Sequence, residues 1–170
     1  MQAQARRSGT RALTLLQPNA SAVSHLDKRI ENRDWLPPER VFGTRIAIHA
    51  GLALDPELRN MAPSPLGHLV FKLSQAGLLP RDDMRDLPRQ VVVATAVVTG
   101  RVYYSLDELP DGQISWWKGP LAWELADVRR SPSPVACPGL QKLWYLPLDV
   151  EAELIAQGLL DVAGEPPCIR

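Results

Sequence analysis

The segment KRIENRDW, residues 28–35, gathers the side chains best suited to chemistry. Lys28 and Arg33 can meet a phosphate or a developing oxyanion, and Glu31 can take a proton or accept a hydrogen bond. Side chains alternate along an extended chain, so Arg29, Glu31 and Arg33 fall on one side, with steps of about 6.6 Å. Glu31 is then flanked by two guanidinium groups, which either hold an ionised carboxylate and aim at a ligand or form a structural charge ladder. Lys28 points the other way in a regular strand. It shares a cleft with Glu31 only if a bulge or loop breaks the alternation, and Asp27 just upstream suits an irregular start. His49 adds a titratable imidazole, so Lys28, Glu31, Arg33 and His49 supply the base, acid and cation types that a ribonuclease-like site needs. His25 and His68 read as structural or surface histidines. Cys137 and Cys168 have no ligand spacing and read as ordinary reduced thiols. No Ser/His/Asp order or phosphate-cradling glycine loop stands out. No cofactor or metal cluster is expected, although an Mg²⁺ held by one or two carboxylates and water would leave no sequence pattern.

The elements that must position these residues are short. The first eleven residues read as a polar, flexible tail, and residues 12–16 as a strand. Pro18 suits a first helical turn, so residues 18–26 form a short helix with Val23 and Leu26 on its apolar face. Residues 28–35 precede Pro37 and Pro38 and are read as extended. Residues 44–49 alternate as a strand, and residues 55–76 contain a helix through Leu66, Leu69, Val70 and Leu73. The β-branched run 90–98 is the expected central strand, extended by residues 101–104 beyond Gly100. Residues 121–128 and 140–146 add strands, Gly119 and Pro120 read as a structural turn leading into the first of them, and residues 150–160 close the chain as an amphipathic helix. Five or six strands with two or three helices in a non-alternating order predict an α+β domain with a small curved sheet or barrel.

Composition bounds what such a domain can do. At 170 residues and 18.8 kDa, with 45% hydrophobic and 22% charged residues, the chain suits a single globular domain. Nineteen basic residues balance nineteen acidic ones, so no global field attracts a polyanion. The charge is nevertheless uneven: residues 1–45 carry eight basic side chains against four acidic ones, making a local anion site plausible. Sixteen prolines punctuate the chain and argue against a long helical bundle. No apolar run can span a bilayer, and Arg6, Arg7 and Arg11 are not followed by a signal-type apolar segment, so a cytoplasmic location is expected.

Three segments together resemble the ASCH (activating-signal-cointegrator homology) family of the PUA-like superfamily. LTLLQPNASAV, residues 13–23, resembles its opening strand, Gln-Pro turn and helix. KRIENRDW resembles its Lys-x-x-Glu-x-Arg-x-Trp signature, and RIAIHAG, residues 45–51, the following strand. KGPLAWELADVR, residues 118–129, and PVACPGLQKLW, residues 134–144, are similar to its closing strands. The resemblance covers residues 12–148, with a helical insert near 55–89, and leaves 149–170 as a C-terminal helix and tail.

It implies a PUA-like small β-barrel of five or six strands with peripheral helices, and a cleft beside the Gln-Pro turn that takes RNA or a modified nucleotide. On that reading Lys28 and Arg33 meet phosphate, while Gln17, Pro18, Asn19, Ser21 and Glu31 line the base and Trp35 offers an aromatic wall. Asn19 departs from the tryptophan common at that position and puts an amide in place of a stacking surface. Trp116, Trp117 and Trp123 are alternatives to it, although tryptophans of this kind more often belong to a core or its rim. Catalytic members imply a second reading, a hydrolase acting on a modified nucleoside or on single-stranded RNA. The amidohydrolase type carries threonine where this chain has Glu31, which could instead activate a water while Lys28 stabilises an oxyanion; Asp107 and Glu108 are only positional candidates for a distant acid or base. A third reading is a protein-interaction domain using Glu151 and Glu153 of the last helix.

Overall fold

The computed structural model describes residues 7–56, 65–79 and 83–162, with side chains from residue 9 and, in the second stretch, from residue 69. Part of the expected tail, part of the insert, the His68 side chain and Cys168 lie outside the described residues.

Among the described residues, six strands and three α-helices follow one another as β1 (Arg7–Gln17), α1 (Asn19–His25), β2 (Ile30–Arg33), β3 (Arg45–Leu54), α2 (Pro65–Gln75), β4 (Val91–Tyr103), β5 (Leu121–Ala136), β6 (Leu143–Pro147) and α3 (Leu148–Ala156). The strands form one curled sheet in the order β2-β5-β4-β3-β1-β6, the α+β architecture of a PUA-like small barrel. β1 and β3 run parallel and every other pair is antiparallel. Repeated register shifts between β4 and β5 mark bulges, each of which adds local twist and bends the sheet.

Alternation along the strands sorts side chains between two cores. Leu13 and Leu15 of β1 and Ile46, Ile48 and Ala50 of β3 join Val93, Trp123, Ala20 and Val23 in one cluster. Ala12 and Ala47 point to the other face, where Trp144, Leu146, Val150 and Leu154 cover them. A third cluster, including Leu69, Leu73 and Tyr103, seats α2 beside β2 and β4. The run of valines and alanines in β4 lies between β5 and β3, the interior position its continuous apolar character predicts.

Several boundaries differ from the sequence reading, among them the end of β3 at Leu54 and the start of β6 at Leu143, and three of them have a clear tertiary reason. β1 begins at Arg7 rather than residue 12, because its polar start is paired with β6: Arg7 stands opposite Pro147 and Arg11 opposite Tyr145. The Arg11 guanidinium lies 4.2 Å from the Tyr145 ring centroid. β5 runs on to Ala136 through Pro132 and Pro134. β2 pairs only with its first residues, so the later half has one edge without a partner strand, and proline is tolerated there. α3 stops at Ala156 because Gly158 adopts φ 70°, a left-handed turn that folds Leu159 and Leu160 back into the core.

Candidate functional site

α1 starts immediately after β1, and Gln17 makes the join. Its Oε1 accepts from the Ser21 N–H at 3.1 Å, supplying the helix cap that Pro18 lacks, and its Nε2 donates to the Pro88 carbonyl at 2.6 Å. Gln17 and Ser21 are both fully buried, and Pro18 is buried too. These three residues, expected to read a ligand, are turned inward; Gln17 holds the turn through its side chain and Pro18 and Ser21 through their backbone groups. Asn19, the next residue, does reach the surface of a cavity.

That cavity, about 190 Å³, is lined by Thr14, Leu15, Leu16, Asn19, Glu31, Asn32, Arg33, Asp55 and Lys118. β2 supplies its charged wall. Ladder pairing starts only at Ile30, so Lys28 precedes the strand and escapes its alternation. Its ammonium turns back to donate to the Ile30 carbonyl and to Glu31 Oε2, the latter at 2.7 Å. Glu31 Oε1 faces Arg33 Nη2 at 3.1 Å, and Arg33 also donates to the Thr14 carbonyl at 2.9 Å. Arg29 leaves this group and donates to the carbonyls of Val23, Leu26 and Lys28. The flanking of Glu31 by two arginines is therefore replaced by a lysine on one side and an arginine on the other.

Burial separates the roles of the three. Lys28 is 1% exposed and does not line the cavity; it closes the back of the Glu31 carboxylate. Burial pushes the Lys28 ammonium below the usual lysine range, and the neighbouring Glu31 charge works against that shift. The Arg33 side chain, 18% exposed, presents its charge to the cavity.

The opposite wall comes from distant segments. Lys118 Nζ lies 3.1 Å from Asp55 Oδ2, and Asn19 Nδ2 donates to the same oxygen at 3.0 Å. Asn32 fixes the loop that carries Lys118, donating to the Trp116 carbonyl and accepting from the Lys118 N–H. Two cations, Arg33 and Lys118, and two carboxylates, Glu31 and Asp55, thus border the cavity, with Lys28 behind Glu31. The sequence reading missed Asp55 and Lys118. Lys118 opens a segment that carries the family resemblance, whereas Asp55 stands at the edge of the insert with no local signal.

The expected aromatic wall is elsewhere. Trp35 packs edge-on against fully buried Trp123, with ring centroids 4.5 Å apart, and its carbonyl accepts from Trp123 Nε1. It stands behind Arg33, whose guanidinium is 5.9 Å from its ring, and does not line the cavity. Neither do Trp116, Trp117, Asp107 or Glu108.

His49 lies apart from Glu31, beside a second cavity of about 410 Å³. It is fully buried and stands opposite Thr14 in the β1–β3 register. Its Nε2 is 2.8 Å from the Cys137 carbonyl, so that nitrogen must carry the proton and donate. Nδ1 faces Thr14 Oγ1 at 3.2 Å, and the same oxygen accepts from Trp144 Nε1. Burial lowers the His49 pKa below its ordinary value of 6.5, against the Cys137 hydrogen bond, which raises it. As pH falls through the ordinary value the unfolded chain gains a proton that folded His49 refuses, so stability falls below that pH. The melting temperature of the protein is expected to drop between pH 7 and pH 5 more steeply than that of His49→Gln; equal slopes would show that His49 does not contribute.

Among the described residues no three His, Cys, Asp or Glu side chains are grouped to hold a metal ion, and no helix is long and apolar enough to cross a membrane.

No family model matches the sequence, and no curated protein matches it. Among solved structures the fold is similar to the crystal structure of ASCH from Zymomonas mobilis. The two are 16% identical, with a TM-score of 0.47 over 86% of this chain and 94% of that one. Two single-substitution variants of that protein are similar at 15% and 14% identity, with TM-scores of 0.45 and 0.46 over 86% and 88% of this chain and 94% and 98% of theirs.

Proposed function

We propose that this chain is an ASCH-type domain that recognises RNA or a nucleotide-like ligand in the cavity between Asn19, Glu31, Arg33, Asp55 and Lys118. One observation carries the reading: a small cavity is bordered by two cations, Arg33 and Lys118, two carboxylates, Glu31 and Asp55, and the amide residues Asn19 and Asn32, a polar lining able to meet both a phosphate and the edge of a base. A phosphate matches the cations, and the polar edge of one base matches Asn19, Glu31 and Asn32. The volume lies below the roughly 300–1,000 Å³ typical of drug-sized ligands, which suits a single base or nucleoside. The motif resemblance points the same way.

Binding is preferred to hydrolysis because Lys28, the cation expected to meet an oxyanion, is sealed behind Glu31. Calorimetric titration with ribonucleoside monophosphates and short single-stranded RNA tests the proposal. Binding is expected for the protein, and Lys118→Ala and Arg33→Ala are each expected to weaken it about tenfold, the order of one charge-assisted contact. No binding to any nucleotide, or an affinity unchanged from that of the unsubstituted protein in both variants, would overturn it. Mass spectrometry of the same mixtures reads the hydrolase alternative directly, since a binding module leaves every nucleotide intact.

A further inference from the structure

The second cavity adjoins the first. Thr14 and Leu16 of β1 line both, and between Leu15 and Gln17 the register of β1 on β3 shifts. A bulge re-aims a side chain out of the regular alternation, and Leu16, the residue at the shift, is 38% exposed between the two cavities. The walls differ in chemistry. The first is charged, whereas the second is bordered by exposed Leu52 and Leu140, 63% and 60% accessible, together with the amide side chains of Gln90 and Gln141. Gln90 holds φ at 53°, a conformation disfavoured for a residue with a side chain and found where surrounding structure imposes it. Beside it Arg89 donates to the Leu52 carbonyl at 3.5 Å, placing a cation on the rim.

We propose that the second cavity takes the base of an adjoining nucleotide, so that the ligand of this domain is a single strand at least two nucleotides long, bridging Leu16. This rests on the nucleotide reading of the first cavity. A base is flat and apolar on its faces and polar at its edge, which matches leucine walls with two amides beside them. Its backbone is anionic, which matches Arg33 and Lys118 at one end and Arg89 at the other. The larger second volume accommodates a base without the charged complement that the first cavity offers. An aliphatic tail would use the leucines and leave Gln90, Gln141 and Arg89 without a role.

Affinities of ribonucleoside monophosphates and of the complete set of ribodinucleotides, measured on the whole protein, test this. At least one dinucleotide is expected to bind about tenfold more tightly than either of its monophosphates, a gain of the size that burying roughly 50–60 Å² of further apolar surface supplies. That ratio should fall toward one in Leu140→Ser and in Leu52→Ser. Both side chains are exposed, so the fold is not at stake, and thermal melting checks it. A ratio of one in the unsubstituted protein, with monophosphates still bound, overturns the second-base proposal alone. A tenfold ratio unchanged in both variants overturns the second cavity as its place. Tighter binding of a monophosphate bearing an alkyl chain than of any dinucleotide overturns it in favour of an apolar occupant. Binding of neither nucleotide class overturns the underlying nucleotide reading as well.

Discussion

Lys28→Ala is expected to lower the melting temperature by about 10 °C. Removing one partner of a buried ion pair costs on the order of 3–5 kcal/mol, and each kcal/mol shifts the midpoint of a domain this size by about 2–4 °C. The reason lies in the burial of the pair. Lys28 is 1% exposed and Glu31 6% exposed, so deleting the ammonium leaves Glu31 Oε2 inside the protein with its charge uncompensated on that side. Arg33 still holds Oε1, which sets the expectation near the lower end of the range. Lys28→Met keeps the aliphatic stem and should lose nearly as much, while Lys28→Met combined with Glu31→Gln should recover at least half by removing the stranded charge. The check is thermal melting of the three variants, and a single alanine variant within about 2 °C of the parent would refute the buried-pair account. An assay of Lys28→Ala for ligand binding alone would mistake a folding defect for a lost contact.

Gly139→Ala should cost about 2 kcal/mol or more, the upper part of the range for an overpacked site. A Cβ there would stand 2.2 Å from His49 Cε1 and 2.5 Å from Nδ1. The ring cannot give way cheaply, since it is held by the Cys137 carbonyl and Thr14 and packs edge-on against Trp144 with centroids 5.5 Å apart. Denaturant midpoints measure the loss, and the emission of Trp144 should shift with it. In a His49→Ala background the same substitution should be nearly silent, because the two changes share one contact. Additive costs in that cycle would show the strain to lie elsewhere.

The sequence announces this site unevenly. Alternation and β-branched runs mark β3 and β4, because each buries apolar side chains in a period the strand itself imposes. The spacing from Lys28 to Arg33 marks the charged wall, but alternation alone pairs Glu31 with Arg29. Where β2 begins depends on β5, and that decides that Lys28 rather than Arg29 reaches the carboxylate. Gln17 and Ser21 sit in the expected turn yet face inward, since the turn uses both ends of the Gln17 amide and the backbone N–H of Ser21 for its own closure. Asp55 and Lys118 are 63 positions apart in the chain and meet only through the fold. No local periodicity encodes such a meeting. Asn19, an apparent loss where the family resemblance would place an aromatic ring, gains a use once Asp55 is beside it.

The pairing of β1 with β6 has a consequence for how the protein is made. β1 leaves a ribosome before β2, β3, β4, β5 and finally β6, so throughout the synthesis of the intervening segments the edge of β1 that β6 will cover has no partner. That uncovered edge, Arg7 to Leu13, is a template for strands of other chains. Products that terminate before Leu143 keep that edge permanently, lack Trp144 over His49, and should collect in aggregates rather than as soluble shortened domains.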